Sequence, residues 1–514
     1  MAPRVVPLPF ILVLLMVASS GFVSVTSTPI MGAYFANWAQ YHTAPYTYTP
    51  ENLAPIVGSL DHLMYAFAYI DPSSFAVTKV EPKDPQFYGE VMAYKKTNPN
   101  MKVLLSVGGW NMPSSIFSKM VSTKTNRAAF ISSCVTAIKT TGFDGIDIDW
   151  EYPCSPQRTD HIKYSCAQFK SSTDAGGTCP QDTPNFSALL QEMRAAFGST
   201  YMITVASQSA HKNWDKFDFK TMDNYIDYWH VMTYDYTVSD IANSSVTSPN
   251  CPLYSPPESS VVQWSLNYTV QGYLAAGVPA SKIIIGIPLY GHTWFAPGLT
   301  GDAWKTYGLK GEIQGLCCGP FKQTYGAKYG KGCQLCGTMM VSEIDASGPQ
   351  TFYDKKTETM IAYLPEDSSD GWTKAGTWIT YNEETSAAAI TKYAVDNKLA
   401  GVFVFDTSMD TMDFGSGTFT YKVSKTVRSV LNGGGPGPSP GSHVCTPAAQ
   451  CNVCAACCKT YLKTQSDCDA CVAQACPKTN VCQPSGSCTV CAACCKSYLK
   501  TQNDCDACVK SECT

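Results

Sequence analysis

The chain has 514 residues, enough for one large domain with additional segments, and its content of 45% hydrophobic and 12% aromatic residues is that of a globular protein. Its net charge is −4 and its isoelectric point is near 6.0. This balance gives no large positive field, so it argues against partners such as nucleic acid or an anionic membrane.

The N-terminus has the pattern of a secretory signal peptide. Arg4 precedes an apolar run at 8–17, and small residues follow at 18–20. We therefore predict a signal peptide over residues 1–20, with its end anywhere from 20 to 28, and a secreted, extracellular protein. A signal anchor is the alternative, but the apolar run is shorter than the roughly 20 residues that a membrane span needs.

Apolar segments rich in β-formers then recur along the chain. They lie near 30–36, 62–69, 102–107, 144–150, 201–206, 227–234, 283–287 and 400–405. Helical patterns lie between them, for example at 126–140 and 383–397. Strands that alternate with helices in this way predict an α/β fold, a (β/α)8 TIM barrel over residues 29–432, whose catalytic groups belong at the carboxyl ends of the strands.

The fourth predicted strand carries acids on one face. Asp147, Asp149 and Glu151 alternate with apolar residues, so the carboxylates share one face. At a spacing of roughly 6 Å and an effective dielectric of about 20, two ionised neighbours would repel by about 3 kcal/mol. At least one acid should therefore hold a proton at neutral pH, as general acid catalysis requires. A solvated acidic edge strand is the alternative, but the opposite face is strongly apolar.

The 25 cysteines are typical of an oxidising compartment. In the main domain, Cys134 falls in a helical pattern and is predicted to be a buried free thiol, which leaves eight cysteines that can pair. Four others crowd one segment, Cys317, Cys318, Cys333 and Cys336. We favour disulfides there over a zinc site.

Three Asn-x-Ser/Thr sequons are candidates for N-glycosylation, at Asn185, Asn243 and Asn267. A glycan on any of them would place its loop on the surface.

The C-terminal segment, residues 433–514, is a separate unit. Residues 433–444 form a Gly/Pro/Ser linker. The same spacing of eight cysteines then begins at Cys445 and again at Cys482, which defines cysteine-rich repeats over 445–481 and 482–514. Units this small need disulfides for stability, and the sequence leaves their connectivity open.

The acidic strand belongs to a longer pattern of motifs. It reads Asp144-x-x-Asp147-x-Asp149-x-Glu151, and it is accompanied by YFANWAQY at 34–41, SVGGWN at 106–111, MTYDY at 232–236 and GIPLYG at 286–291. Together these motifs resemble family 18 of the glycoside hydrolases, in the family's order and over residues 30 to about 430. Within the family they are most similar to the animal-type chitinases.

The resemblance implies a fold, a reaction and a partner. It adds an α+β insertion at about 293–378 to the barrel, between strand 7 and helix 7. It implies hydrolysis of β-1,4-linked N-acetylglucosamine polymers, with chitin or chitooligosaccharides as the partner. It implies no cofactor and no metal, and we expect a monomer.

The same resemblance implies roles for the acids. The nucleophile in this family is the N-acetyl oxygen of the substrate, which gives an oxazolinium intermediate and retention of configuration. Glu151 would be the general acid and then the base. Asp149 would orient the acetamido group, and Asp147 would share a proton with Asp149. Asp144 breaks the alternation of the other three and is expected to be structural.

Substrate contacts are also implied by the resemblance. Tyr234 is expected to act on the acetamido group, and Asp235 and Tyr290 to bind the sugar, although a merely polar strand end is the alternative reading of Tyr-Asp-Tyr. The other expected contacts are Tyr34, Trp38, Trp110, Met232 and Phe405. Trp214 is a weaker stacking candidate, because lone tryptophans are more often core residues. Ser106, Gly108 and Gly109 are expected to allow close packing near the site.

Two positions depart from the family pattern. Phe405 stands where the family has a tryptophan, which keeps an aromatic face but loses the indole N–H. His292 stands where the compared relatives usually have an arginine, which removes a fixed fork of donors.

Two rival functions remain open for the barrel, and three for the C-terminal segment. A non-catalytic chitin-binding lectin is disfavoured because Glu151 is present. An endo-β-N-acetylglucosaminidase acting on N-glycan cores shares the carboxylate motif. The C-terminal repeats can bind chitin or wall glycans, hold a partner protein or act as a spacer.

Overall fold

The computed structural model describes residues 28–42, 44–154, 181–209, 214, 216–236, 246–256, 264–313, 337–368, 373 and 375–434. The predicted signal peptide, the C-terminal repeats, Asn243 and the cysteine cluster at 317–336 lie outside these residues. So does the predicted linker from residue 435 onward.

Seventeen strands and nine α-helices are present in the described residues, besides short 3-10 helices. The strands are β1 Ile30–Ala36, β2 His62–Ile70, β3 Val77–Lys79, β4 Lys102–Gly108, β5 Gly145–Asp149, β6 Met202–Gln208, β7 Tyr228–Met232, β8 Ile283–Pro288, β9 Tyr290–Phe295, β10 Glu312–Ile313, β11 Thr338–Met340, β12 Gln350–Asp354, β13 Thr359–Tyr363, β14 Thr377–Tyr381, β15 Gly401–Phe405, β16 Met412–Asp413 and β17 Thr418–Phe419. The helices are α1 Asp84–Ala93, α2 Ser114–Val121, α3 Lys124–Thr141, α4 Asp182–Phe197, α5 Phe219–Met222, α6 Leu266–Ala275, α7 Val341–Ser347, α8 Glu384–Asp396 and α9 Lys422–Leu431.

Eight of the strands, β1, β2, β4 to β8 and β15, pair in parallel and close into a barrel. Closure occurs because β1 pairs with both its neighbours, with Ile30 opposite Gly401 on β15 and Gly32 opposite His62 on β2. The predicted TIM barrel is confirmed, and every predicted strand segment overlaps one barrel strand. In such a barrel the functional groups gather at the carboxyl ends of the strands.

The segment between β8 and α8 forms a second, antiparallel sheet. Its strands run in the order β10-β9-β14-β13-β12, β11 pairs with β9, and α7 follows β11. The sheet starts at Tyr290 and ends at Tyr381, slightly outside the predicted bounds, because Tyr290 pairs with Met340 and Tyr381 pairs with Met360. Three buried tryptophans, Trp294, Trp304 and Trp378, give this insertion a small core of its own.

Helix α3 shows how local sequence sets an element. The side chain of Thr123 caps its start by accepting from the N–H of Asn126, and Gly142 ends it in a left-handed conformation. Cys134 on this helix is buried and free, as predicted. Cys251 is also buried and free, which corrects the expectation that it can pair. Its Sγ instead donates to the carbonyl oxygen of Thr233 at 3.0 Å.

Two of the sequons lie in helices and not in loops. Asn185 is in α4 and Asn267 is in α6, both half-buried. The oxygen of the Asn267 side chain accepts a hydrogen bond from the hydroxyl of Tyr393 at 2.9 Å. The prediction that these sequons mark loops is therefore wrong, because both fall at the amphipathic start of a helix.

A search of the described residues finds no helix long and apolar enough to cross a membrane.

Candidate active site

Strand β5 presents its acids to the inside of the barrel and its apolar residues to the surrounding helices. Asp147 and Asp149 are buried, and Glu151 lies just beyond the strand end, half-buried. On the outer face, the ring of Trp150 stacks on Phe117 of α2, with centroids 5.2 Å apart and planes 10° apart. The alternation predicted from the sequence therefore places the three acids along one line toward the carboxyl end.

Asp147 is held by hydrogen bonds from four side chains. Its Oδ2 accepts from the hydroxyls of Tyr34 and Ser106, both at 2.8 Å. Its Oδ1 accepts from the hydroxyl of Thr204 at 2.5 Å and from Nδ1 of His230 at 3.1 Å. Burial alone would raise the pKa of Asp147, but the hydrogen bonds from His230, Thr204 and Ser106 outweigh burial and lower it. Asp147 is therefore ionised.

Asp149 has the opposite environment. It is buried, and its Oδ1 has no hydrogen-bond partner. Burial, followed by the charges of Glu151 and Asp147, raises the pKa of Asp149 well above its usual value. The sharing of a proton between Asp147 and Asp149 stays a prediction. In the structure both Asp147 oxygens accept from other side chains, while burial raises the pKa of Asp149 and of Glu151.

Glu151 is prepared to act as an acid. Burial raises its pKa to about 7, with the charge of Asp235 adding to the effect, while a hydrogen bond from the side chain of Tyr152 opposes it. Below that pH the carboxyl group carries a proton that it can donate. Such a protonated group, on the same face of the strand as the ionised Asp147, fits the general acid of glycoside cleavage.

A second cluster lies at the end of β7, beside the insertion. Asp235 has a φ of 56°, and its N–H donates to Oδ1 of Asn250 at 2.9 Å. Its Oδ1 accepts from the hydroxyl of Tyr290 at 2.9 Å and from Nε2 of His292 at 2.7 Å. His292, the departure from the family pattern, thus still supplies a donor to Asp235. Tyr234 is buried, with its ring 6.2 Å from that of Tyr290.

Phe405 forms an aromatic floor between two tyrosines. Its ring centroid lies 5.4 Å from that of Tyr34 and 6.1 Å from that of Tyr234. Tyr34 is almost fully buried and gives its hydroxyl to Asp147, so it positions that carboxylate. Its contact with substrate stays a prediction.

The tryptophan candidates differ in their exposure. Trp110 is the most exposed of them, at 44%. Trp38 is half-buried and stacks on Phe67, with centroids 5.6 Å apart. Trp214 instead stacks on Tyr268 of α6 and packs against Gly272, which makes it a core residue. Met232, half-buried, ends β7 two residues before Tyr234.

The two glycines after β4 allow the backbone to approach the acids. Gly108 has a φ of 120°, and a Cβ there would lie 2.0 Å from the carbonyl oxygen of Asp149. The N–H of Gly109 donates to that same oxygen at 2.9 Å. Asp144, in contrast, precedes β5 at the other end of the barrel, where it pairs with Lys95 and accepts from the N–H of Val103.

The sequence reasoning missed several residues of the site. Ser106 was assigned only to packing, and Thr204 and His230 were not singled out, although all three donate to Asp147. Each is a polar residue at an inward-facing position of an otherwise apolar strand, and that pattern was a usable signal. Asn250 carried no comparable signal, because it lies in a connecting segment.

Within the described ranges, no group of three or more His, Cys, Asp or Glu side chains is arranged to bind a metal ion.

Comparisons with known proteins point to one family. The family model Glycosyl hydrolases family 18 matches residues 30–410. Probable chitinase 2 of Drosophila melanogaster is 28% identical over 397 residues, which cover 75% of this chain and 72% of that protein. Probable endochitinase of Caenorhabditis elegans is 28% identical over 410 residues, which cover 76% of this chain and 58% of that protein. The solved structure of Ostrinia furnacalis Group IV chitinase in complex with allosamidin is similar with a TM-score of 0.64 and 25% identity, covering 79% of this chain and 100% of that one.

Proposed function

The chain belongs to family 18 of the glycosyl hydrolases and is a glycoside hydrolase of the chitinase type, and on that premise we propose that it cleaves β-1,4 linkages between N-acetylglucosamine residues with retention of configuration. The observation that carries this proposal is the contrast along β5. Hydrogen bonds lower the pKa of Asp147 and keep it ionised, whereas burial raises the pKa of both Asp149 and Glu151.

In the proposed first step, the proton of Glu151 passes to the glycosidic oxygen as the bond from that oxygen to C1 breaks. The carbonyl oxygen of the substrate's own N-acetyl group forms the new bond to C1, which gives an oxazolinium ion. Asp149 lies beside Glu151 and takes the N–H of the acetamido group, which stabilises the developing positive charge. Tyr234 donates its hydroxyl to the same group.

In the proposed second step, water attacks C1 and reopens the ring. Its proton passes to the carboxylate of Glu151, which restores the acid for the next cycle. The charge on Asp147 makes the loss of a proton from Asp149 costly, so Asp149 stays neutral through both steps and accepts the acetamido N–H through its carbonyl oxygen. No cofactor enters either step.

The substrate side of the proposal rests on the open aromatic surfaces. Trp110 offers an exposed ring for stacking on a pyranose face, and Phe405 offers a floor at the cleavage point. Asp235 is held by Tyr290 and His292, so its remaining acceptor capacity is aimed at a sugar hydroxyl. We also propose that the protein is secreted, as the N-terminal pattern indicates.

The test is product analysis with a matched pair of variants. N-acetylglucosamine tetramer and hexamer are digested by the wild type, Glu151→Gln and Glu90→Gln, and early products are separated by anomer. Glu90 is an exposed acid on α1, so its variant controls for the loss of a carboxylate. We expect β-anomeric products from the wild type and Glu90→Gln, and none from Glu151→Gln.

Other outcomes would contradict the role of Glu151 or favour a different function. A Glu151→Gln variant that retained a tenth of the wild-type rate would overturn the role of Glu151. A wild type that binds the oligomers without cleaving them would favour the lectin. Cleavage of N-glycan cores in place of the oligomers would favour the endo-β-N-acetylglucosaminidase.

A further inference from the structure

Helix α2 is tied to the backbone on both sides of Glu151. Ser114, the first residue of this helix, is buried. Its Oγ accepts from the indole N–H of Trp150 at 2.5 Å and donates to the carbonyl oxygen of Tyr152 at 2.9 Å. Trp150 and Tyr152 are the residues immediately before and after Glu151.

A second tie follows one helical turn later. The hydroxyl of Ser118 donates to Oδ2 of Asp182 at 2.8 Å, and the same oxygen accepts from the N–H of Cys154 at 3.1 Å. Between the two serines, Phe117 stacks on the ring of Trp150. Helix α2 and the start of α4 thus hold the whole segment 150–154 against the barrel.

Ser114 contacts both neighbours of Glu151 in the chain. A serine hydroxyl has one proton to donate, and here that proton is given to the backbone of the segment that carries the acid. Glu151 lies beyond the end of β5, so the sheet does not fix its backbone. A misplacement of an acid by 1 Å can cost about 10²-fold in rate.

We infer that Ser114 is a positioning residue for the general acid. It sets the place of Glu151 through Trp150 and Tyr152 and touches no reacting atom. This inference rests on the proposed function of Glu151. It adds a residue on the outer side of the barrel strand, behind the catalytic face.

The test compares three variants with the wild type on N-acetylglucosamine tetramer. Ser114→Ala removes both hydrogen bonds. Trp150→Phe removes the indole donor and keeps a stacked ring, so it tests the same tie if Ser114→Ala does not fold. Ser122→Ala is the matched control, since Ser122 is an exposed serine directly after the same helix, and its hydroxyl donates to the carbonyl oxygen of Lys119 at 2.7 Å.

The expected result separates positioning from general stability. We expect Ser114→Ala to lower kcat at least tenfold with KM within twofold, and Trp150→Phe to lower kcat less. A displaced Glu151 meets more water, so its pKa falls and the alkaline limb of the pH–rate profile moves to lower pH. Ser122→Ala should match the wild type in kcat, KM and pH profile. Tetramer affinity, measured in a Glu151→Gln background, should not change with Ser114→Ala.

Failure of this inference can be told apart from failure of the proposed function. If the wild type and Glu151→Gln behave as proposed but Ser114→Ala keeps the wild-type kcat and pH profile, Ser114 has no positioning role. A lower melting temperature with an unchanged alkaline limb would likewise overturn it. A wild type without hydrolytic activity would overturn the proposed function and this inference with it.

Discussion

Two acids only two residues apart, Asp147 and Asp149, differ in their protonation because their neighbours differ. Asp147 accepts from Tyr34, Ser106, Thr204 and His230, whereas Oδ1 of Asp149 has no partner. A buried carboxylate remains charged only where hydrogen bonds replace its hydration. The supporting residues of β1, β4, β6 and β7 therefore decide which acid carries the charge.

The charge of Asp235 leads to a prediction about how activity depends on pH. Burial is the main reason that the pKa of Glu151 is raised to about 7, and the negative charge of Asp235 contributes in the same direction. Asp235→Asn removes that charge, so the pKa of Glu151 should fall. Because Glu151 acts in its protonated form, we expect the alkaline limb of kcat/KM to move to lower pH. The measurement is the pH–rate profile on a chitooligosaccharide.

The control for this profile is Asp396→Asn, at an exposed acid that ends α8. Its profile should superimpose on that of the wild type. An alkaline limb that stays in place in Asp235→Asn, or moves to higher pH, would contradict the electrostatic link between Asp235 and Glu151.

The floor residue provides a second prediction. Phe405 lies between Tyr34 and Tyr234 but has no N–H to donate. Phe405→Trp adds aromatic area and one donor, so we expect a KM for the tetramer a few-fold lower, with the pH–rate profile unchanged. Initial rates over a range of substrate concentrations give the KM. A higher KM would show that the site is built around the smaller ring.

The motif residues of the site could be predicted from the sequence, but the side chains that hydrogen-bond to them could not. Asp147, Asp149 and Glu151 reveal themselves by their spacing within one strand. Ser106 and Thr204 come from other strands, and only the sheet register, which pairs Ser106 with Asp147 and Asp147 with Thr204, brings them together. The sequence does not state that register.

The junction that follows β4 leaves no room for a side chain at Gly108. Gly108 combines a φ of 120° with a close approach to the carbonyl oxygen of Asp149. Gly108→Ala should therefore force the backbone of β5 to move, at a cost of about 2–5 kcal/mol of unfolding free energy, with loss of activity. Chemical denaturation monitored by fluorescence measures the cost.

Gly58→Ala is the matched control for Gly108→Ala. A Cβ on Gly58 would meet nothing within 4 Å, and its φ is ordinary. Its unfolding midpoint should equal that of the wild type or exceed it slightly. Equal midpoints for both variants would contradict the proposed clash at Gly108.

The barrel strands were predictable because each is a short, nearly continuous apolar run between helical patterns. The edges of the insertion were harder to predict. Tyr290 follows directly on β8, and only its antiparallel pairing with Met340 assigns it to the second sheet. Cys251 was misassigned because a buried thiol with a backbone acceptor looks, in sequence, like any cysteine available for a disulfide.

The odd number of cysteines in the chain limits how they can pair. Two of its 25 cysteines, Cys134 and Cys251, are buried free thiols, and taking these from 25 leaves 23. Disulfides consume cysteines in pairs, so at least one more must be free or bonded to another molecule. We expect thiol titration of the unfolded, unreduced protein to find an odd number of at least three, or a dimer on a non-reducing gel. Two or fewer thiols in a monomer whose intact mass shows no attached small thiol would contradict the two assignments.

The C-terminal segment lends itself to a test on polymer. We propose that its repeats bind glycan and raise the effective concentration of the barrel at an insoluble surface. Truncation after Asn432 should then reduce retention on insoluble chitin and leave the rate on soluble tetramer unchanged. Unchanged retention would favour a spacer or a protein contact.

The closure of the barrel between β1 and β15 has a consequence for biosynthesis. Strand β1 is made long before its partner β15, which ends only at Phe405. Until then a nascent chain exposes two open parallel edges, on β1 and β8, whose unpaired backbone groups can join other chains. Chains truncated before Phe405 should therefore aggregate. The growing polypeptide should depend on chaperones until β15, its last barrel strand, has emerged from the ribosome.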